Sequence, residues 1–392
     1  MTYRKFKAKG LFTGRDLLDD SYILIADADG TIVDIVLEDS AGDVTDQVDG
    51  LLCPGLINCH CHLELSHLRG KISEKTGLVD FVFTVITQRE FPTEKILEAI
   101  SSAEDEMKDN GIVAVGDICN NTYTLLQKEK KRLHYHNFIE VSGWLPQVAS
   151  ARLNKSREIY DQFRLSSVNE TTMAPHAPYS VSRELWKLLV PFFTNNLTSI
   201  HNQETDWEDE LFRNGSGDAI RMYQLMKLDH DFFQPSGKSS LQTSLPDLLR
   251  AKSVLLVHNT RTREEDLAFI EQTNVNDHLH WCLCPNANLY IENLLPPVPL
   301  FLHHDCQIVL GTDSLASNHS LSILDEMKTI VKHFPDIPHP EILRWATING
   351  ARALQLENLL GSFEKGKRPG IVCIGNTPEN KINAGSWIKR IL

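Results

Sequence analysis

No stretch of this sequence approaches the roughly 18 consecutive apolar residues needed to cross a bilayer. The basic start Met1-Thr-Tyr-Arg-Lys-Phe-Lys7 has no apolar run behind it, so a secretory leader is not expected either and the cytoplasm is the expected compartment. Cysteine occurs eight times but never as Cys-x-x-Cys, which removes the common zinc-knuckle and redox spacings; six of the eight lie in apolar, strand-like runs and read as buried thiols. Positive charge is in deficit, with 39 Lys and Arg against 52 Asp and Glu and a net charge of −13. A polyanion would be repelled over most of such a surface, so nucleic acid and anionic membranes are excluded as partners and a small ligand is expected. Low-complexity tracts and internal repeats are absent as well.

What the chain does have is length and alternation. Its 392 residues suffice for one large α/β domain with a smaller appendage. Eight β-rich runs stand out: Leu51–His62, Gly111–Cys119, Leu133–Ser142, Thr171–His176, Leu197–His201, Ser253–His258, Leu279–Cys284 and Gln307–Asp313. Between them, 92–110, 181–194, 261–272 and 320–333 carry apolar residues at spacings of three and four, as amphipathic helices do. Eight strand–helix pairs predict a (β/α)8 TIM-type barrel over residues 51–361. Ahead of it, Tyr22–Val36 reads as a hairpin turning at Asp29-Gly30, a favoured type I′ pair; Gly370–Ile374 and Trp387–Leu392 read as further strands. Residues 1–50 and 362–392 are therefore expected to form one small β-sandwich domain. The connection Asp206–Leu249 is long, and its Pro, Gly and Ser at 235–240 predict a lid or an extra helical excursion.

In a parallel barrel the strands' C-terminal ends converge on one face, so polar residues closing several apolar runs meet there. His60 and His62 end the first run, one residue apart and therefore on the same side of a strand. Cys59 and Cys61 alternate with them and point away, which speaks against a mixed Cys/His site. His176, His201, His258 and Asp313 close four later runs. Singly, each histidine is explained by a backbone hydrogen bond; jointly, three imidazoles and a carboxylate suit one divalent ion, zinc ahead of iron, with room for water. Asp313 can take a proton from that water, and Glu204, three residues beyond His201, can supply one to a substrate.

These motifs resemble the amidohydrolase superfamily, in the branch of cytosine, guanine, adenosylhomocysteine and aminodeoxyfutalosine deaminases and triazine chlorohydrolases. The likeness runs over nearly the whole chain. Pro54-Gly-Leu-Ile-Asn-Cys-His-Cys-His62 is similar to the family's first-strand signature, and His201-Asn-Gln-Glu204 to its fifth-strand His-x-x-Glu. Gly311-Thr-Asp-Ser-Leu-Ala-Ser-Asn318 is similar to its eighth-strand segment. The resemblance implies His60, His62, His201 and Asp313 as metal ligands, Glu204 as proton shuttle and His258 as the holder of the attacking water. It implies His176 as a substrate contact, with Glu64 and Arg89 as further candidates; for Glu64 a salt bridge to Arg69 is the competing reading. Met173-Ala-Pro-His176 stands where binuclear members carry a lysine, which implies a single metal. Arg368-Pro-Gly370 replaces the usual Ala-Asp near the C-terminus.

The function expected is hydrolytic deamination of an amino-substituted nitrogen heterocycle, free or as a nucleoside. The competing readings are a hydrolase of the same fold acting on a cyclic amide or halogenated triazine, and a barrel that only binds a metabolite. Glu204 favours deamination, because an amine leaving group needs a proton and a halide does not. By analogy alone, a homodimer is expected.

Overall fold

The structure is a computed structural model that describes residues 3–43, 46–166 and 170–392. Its strands, in chain order, are β1 Arg4–Phe12, β2 Leu17–Leu18, β3 Tyr22–Ala26, β4 Ile32–Leu37, β5 Asp46–Pro54, β6 Leu56–Cys61, β7 Ile112–Cys119, β8 His134–Val141, β9 Glu170–Pro175, β10 Leu197–Asn202, β11 Ser253–His258, β12 Leu279–Leu283, β13 Gln307–Leu310, β14 Ile371–Gly375 and β15 Trp387–Arg390. β6 to β9 form one four-stranded sheet and β10 to β13 another. Every pairing within both is parallel. The edges of the two sheets meet on both sides. Thr198 Oγ1 donates to the Met173 carbonyl at 3.0 Å, and the His201 N–H to the His176 carbonyl at 2.9 Å, joining β10 to β9. Beyond β13, the N–H groups of Thr312 and Asp313 both donate to the His60 carbonyl at 3.0 Å.

The run Leu51–His62 is not one strand. It breaks at Gly55, where a Cβ would come within 2.3 Å of Val113 Cγ1 and 2.7 Å of the Pro369 carbonyl. A side chain has no room at this crossing, and the chain passes from β5 to β6 there. β5 belongs to the terminal sheet, parallel to β1 and antiparallel to β14. That sheet has seven strands, ordered β15-β14-β5-β1-β3-β4 with β2 on β1, hydrogen-bonded as one continuous sheet. Phe6, Leu11, Leu24, Ile32, Leu52, Phe363 and Ile371 make its apolar cluster. The hairpin of β3 and β4 is present, but its turn is not type I′. The Gly30 N–H bonds back to the Asp27 carbonyl, and only Gly30 of the expected pair has positive φ, at 89°; type I′ needs both.

Helices follow the periodicity. In Thr93–Asp109 the buried Ile96, Ile100, Ala103 and Met107 line one face. Ser182 caps Arg183–Phe193 by accepting from Leu185 N–H, and Ser322 caps Ile323–His333 by accepting from Asp325 N–H, contacts worth about 1 kcal/mol each. The excursion after β10 is helical, with Asp206–Asn214, Ala219–Leu225 and Ser240–Leu248. Trp207, Phe212 and Tyr223 from it share an apolar cluster with Leu68, Leu78, Trp144, Tyr179 and Tyr290, so it packs onto the loops that leave the strand ends. Among the described residues no helix is long and apolar enough to cross a membrane.

Candidate active site

The parallel sheets deliver the singled-out side chains to one place. His60, His62, His201, Glu204, His258 and Asp313 are all buried. His62 Nε2 and His201 Nε2 face each other at 3.3 Å, and Asp313 Oδ1 stands 3.6 Å from His60 Nε2 and 3.5 Å from His62 Nε2. His60, His62 and His201 offer ring nitrogens within 4.8 Å of one another. Asn58, two residues before His60, receives the Thr312 N–H at 3.1 Å and donates to Thr312 Oγ1 at 2.7 Å, which ties the first strand to the turn carrying Asp313. Asp313 in that turn has φ 56°, and His258 at the end of β11 has φ 73°, both left-handed. Non-glycine residues in this region are uncommon and gather at functional sites.

The donor set fits a metal ion. His201 Nδ1 lies 2.7 Å from the His176 carbonyl, an acceptor only, so its proton sits there and its Nε2 carries a lone pair. That lone pair faces His62 Nε2 at 3.3 Å, so the two nitrogens can share a cation when His62 is protonated on its other ring nitrogen. Both ring nitrogens of His60 are buried with no hydrogen-bond partner, a costly state for a polar group without a ligand. Burial holds all three imidazoles below their ordinary pKa, hence neutral, as ligation requires. Burial would raise the Asp313 carboxyl, but the facing His60, His62 and His258 hold it below the usual carboxylate range. Ser317 Oγ donates to Asp313 Oδ2 at 2.6 Å and fixes its plane.

Glu204 stands apart from these four groups and against His258, with Oε1 3.6 Å from His258 Nε2. Burial first, then the charges of Asp313 and Glu292, push its carboxyl well above the ordinary range. Glu208 orients it: its two oxygens accept the Gln203 and Glu204 N–H groups at 3.0 and 3.3 Å. The His258 Nδ1 bonds to Asn288 Oδ1 at 3.1 Å. Asn288 is itself oriented by its amide donating to Thr260 Oγ1, so His258 donates from Nδ1 and its Nε2 is an acceptor.

The remaining candidates are placed unevenly. His176 is half-buried, its ring 4.8 Å from that of His201 and its Nδ1 bonded to Ser180 Oγ at 2.8 Å. Glu64 is buried but forms no salt bridge with Arg69, which pairs with Glu106 instead. Its Oε2 accepts the Asn120 and Asn121 N–H groups at 3.0 and 3.2 Å, and burial pushes its carboxyl up to about 8. Arg89 is exposed at the end of helix Leu78–Gln88 and reaches Glu64 only through its charge. Two carboxylates escaped the sequence reading. Asp117 and Glu140 sit near the ends of β7 and β8; each lies in an apolar run that continues past it, so neither closes its run as His201 or His258 does. Cys59 and Cys61 point away from the histidines into apolar clusters.

A family model described as the amidohydrolase family matches residues 51–387. A 5-methylthioadenosine/S-adenosylhomocysteine deaminase of Saccharophagus degradans is 27% identical over 369 residues, spanning 88% of this chain and 77% of that protein. Among solved structures, aminofutalosine deaminase of Helicobacter pylori in complex with methylthio-coformycin aligns with a TM-score of 0.77 at 22% identity, over 96% of this chain and 93% of that one. An adenosine deaminase from Xanthomonas campestris with bound zinc aligns with a TM-score of 0.72 at 20% identity, over 94% and 84%. These structural likenesses speak to the fold.

Proposed function

Because the chain belongs to the amidohydrolase family, we propose that it is a metal-dependent hydrolytic deaminase that replaces a ring amino group of a nitrogen heterocycle by oxygen and releases ammonia. The observation that carries this reading is the convergence of three imidazoles and Asp313 beside the Glu204–His258 pair. The curated relative named above is a deaminase of 5-methylthioadenosine and S-adenosylhomocysteine by its name, which is the same class of chemistry. The reading includes the architecture: β6 to β13 close into a (β/α)8 barrel through the β9–β10 and β13–β6 contacts, residues 51–361 form the catalytic unit, and the terminal sheet over 1–50 and 362–392 folds on itself as a sandwich where the register of β1 breaks between Ala8 and Gly10.

In this reading His60, His62, His201 and Asp313 hold one divalent ion, zinc ahead of iron, since three imidazoles and a carboxylate are a common zinc set. When bound, that ion supplies the Lewis acidity that makes water nucleophilic near neutral pH. The chain's own groups do the rest. Asp313, ionised and fixed by Ser317, accepts the proton of the attacking water. His258 Nε2, an acceptor, holds that water toward the substrate carbon. Burial disfavours the anion of Glu204 and so favours its protonated form, which delivers a proton to the ring nitrogen next to the amino-bearing carbon. Charge builds on that nitrogen as the carbon becomes tetrahedral, so the proton is needed at that moment. The proton on Asp313 then passes to the departing amine, which leaves as ammonia, and the hydroxyl on that carbon gives its proton back to Glu204 as the C=O bond forms. His176, Glu64 and, by charge, Arg89 border the substrate. An ammonia-release screen of amino-purines, pterins, pyrimidines and their nucleosides, with metal analysis of the purified protein, tests the assignment. Bound metal with no ammonia from any of them would defeat it.

A further inference from the structure

Glu204 is the acid of the proposed reaction, yet the contact of its carboxyl with His258 Nε2 is 3.6 Å long, beyond hydrogen-bond reach. Its position therefore depends on the backbone that carries it. The preceding residue, Gln203, is fully buried and has φ 44°, a left-handed conformation that few non-glycine residues adopt. Every polar group of Gln203 is engaged. Its N–H donates to Glu208 Oε1 at 3.0 Å, and its carbonyl accepts the Arg261 N–H at 2.9 Å. Its Oε1 accepts from Thr262 Oγ1 at 2.8 Å, while its Nε2 donates to Asp266 Oδ2 at 2.8 Å and Asp209 Oδ2 at 3.3 Å. A side-chain amide carries two protons, so it can serve both carboxylates at once.

These partners come from separate elements. Asp209 lies in helix Asp206–Asn214 of the excursion, whereas Thr262 and Asp266 follow β11, Asp266 within helix Glu264–Thr273. Both carboxylates reach on to a third helix: Asp266 Oδ1 accepts from Ser239 Oγ, the cap of Ser240–Leu248, and Asp209 Oδ1 accepts the Ser240 N–H at 2.9 Å. Gln203 is thus the junction that ties two helices of the excursion and the helix after β11 to the end of β10. A fully satisfied buried network of this kind fixes one geometry, which apolar packing alone would not. We propose that Gln203 is a positioning residue for Glu204: it locks the end of β10 to the excursion and so holds the Glu204 carboxyl at the ring nitrogen it protonates. This rests on the deaminase reading, in which Glu204 is the acid. The reason a lock matters is that displacement of a reacting group by about 1 Å can cost about a hundredfold in rate.

The test compares zinc-loaded wild type with Gln203→Leu, Thr262→Val, Glu204→Gln and the Gln203→Leu/Glu204→Gln double variant. Ammonia release from adenosine, or from the most active member of the panel above, gives kcat and KM, and amide hydrogen exchange read by mass spectrometry follows the backbone. Gln203→Leu should lower kcat about tenfold to a hundredfold with KM little changed, and Thr262→Val should act in the same direction by less. In the Glu204→Gln background the change at Gln203 should have no further effect, because the group it positions is already disabled. Exchange in Gln203→Leu should rise about tenfold over residues 202–214 and stay unchanged over 311–318, the turn of Asp313. Should Gln203→Leu fail to fold, Thr262→Val, which removes one bond of the junction, carries both comparisons, alone and combined with Glu204→Gln. An equal loss of kcat in the Glu204→Gln background, loss of zinc along with activity, or exchange raised equally in both segments or in neither would each overturn the proposal. No ammonia from wild type with any member of the panel would defeat the deaminase reading, and the exchange comparison would then decide by itself whether Gln203 locks the end of β10.

Discussion

At the scale of single residues, the site divides into groups whose type announces their chemistry and groups whose neighbours create it. His60, His62, His201, His258 and Asp313 belong to the first kind. Each closes an apolar run, and a parallel sheet sends run ends to one face. Glu204 belongs to both, because its offset from His201 is visible in the chain, whereas the burial that raises its pKa is not. Glu204→Gln keeps the shape and removes the proton transfer. Its kcat is expected to fall by about 10²–10⁴-fold, the usual contribution of a positioned acid, with metal content unchanged; metal loss, or turnover near wild type, would remove Glu204 from its role. Glu140 and Glu208 were not legible. Glu140 precedes Val141 in an unbroken strand, and Glu208 is one member of an acidic stretch in which only the fold selects the side chain that turns back to the Gln203 and Glu204 amides.

At the scale of elements, two contacts show how packing beneath and beside the strands holds their ends. Lys128, in the short helix Leu125–Lys128, is fully buried. Its Nζ donates to Asp117 Oδ2 at 2.5 Å and Asn137 Oδ1 at 2.7 Å, while Asp117 Oδ1 accepts the N–H of Leu63 at 2.8 Å, the residue after His62. Removing one member of a buried pair strands the other, at about 3–5 kcal/mol. Lys128→Met should therefore lose that much in urea unfolding, and adding Asp117→Asn should recover part of it; equal or greater loss in the double variant would show that the pair is not what is being broken. His304, after helix Val298–His303, bonds to Glu271 and Glu264 of helix Glu264–Thr273. The hydrogen bond to Glu271 is the main reason its pKa is raised. A raised pKa means stability present below the unfolded value near 6.5 and lost as pH climbs through the folded one. His304→Gln should destabilise at pH 5.5 on the scale of a surface ion pair, about 0.2–1 kcal/mol, and by less at pH 9; the reverse order would contradict the assignment.

For the whole molecule, the site is assembled from strands on both four-stranded sheets: β6 belongs to one, β10, β11 and the turn after β13 to the other. An ion held by His60, His62, His201 and Asp313 therefore cross-links the two, and it binds the folded chain only. Such linkage raises stability by about 4 kcal/mol when free metal exceeds its dissociation constant a thousandfold. Stripping the metal with a chelator should lower the Tm, and the Tm of a His60→Ala/Asp313→Ala variant should not respond to the same treatment. A chelator-sensitive Tm in that variant would place the ion elsewhere. The eight strands and four of the helices were readable because apolar periodicity persists through each of them. The break at Gly55 was not, since the apolar run passes through it and only the approach of Val113 and Pro369 demands it. The turn at Gly30 was misread for a similar reason: Asp-Gly suits two geometries, and the register of β3 with β4 chooses between them.

By itself the sequence determined the order of strands and helices and singled out the imidazoles and carboxylates proposed here as metal ligands and as acid and base, because each depends on residue type and on spacing within one run. Only the tertiary structure decided that Nε2 is the free nitrogen of His201 and of His258, that Glu204 stands against His258, that Glu64 serves the amides of Asn120 and Asn121 and not Arg69, and that Glu140 has an unanswered oxygen. Those facts depend on partners brought from distant positions, and burial among those partners, rather than residue type, sets the charge and the orientation of each group.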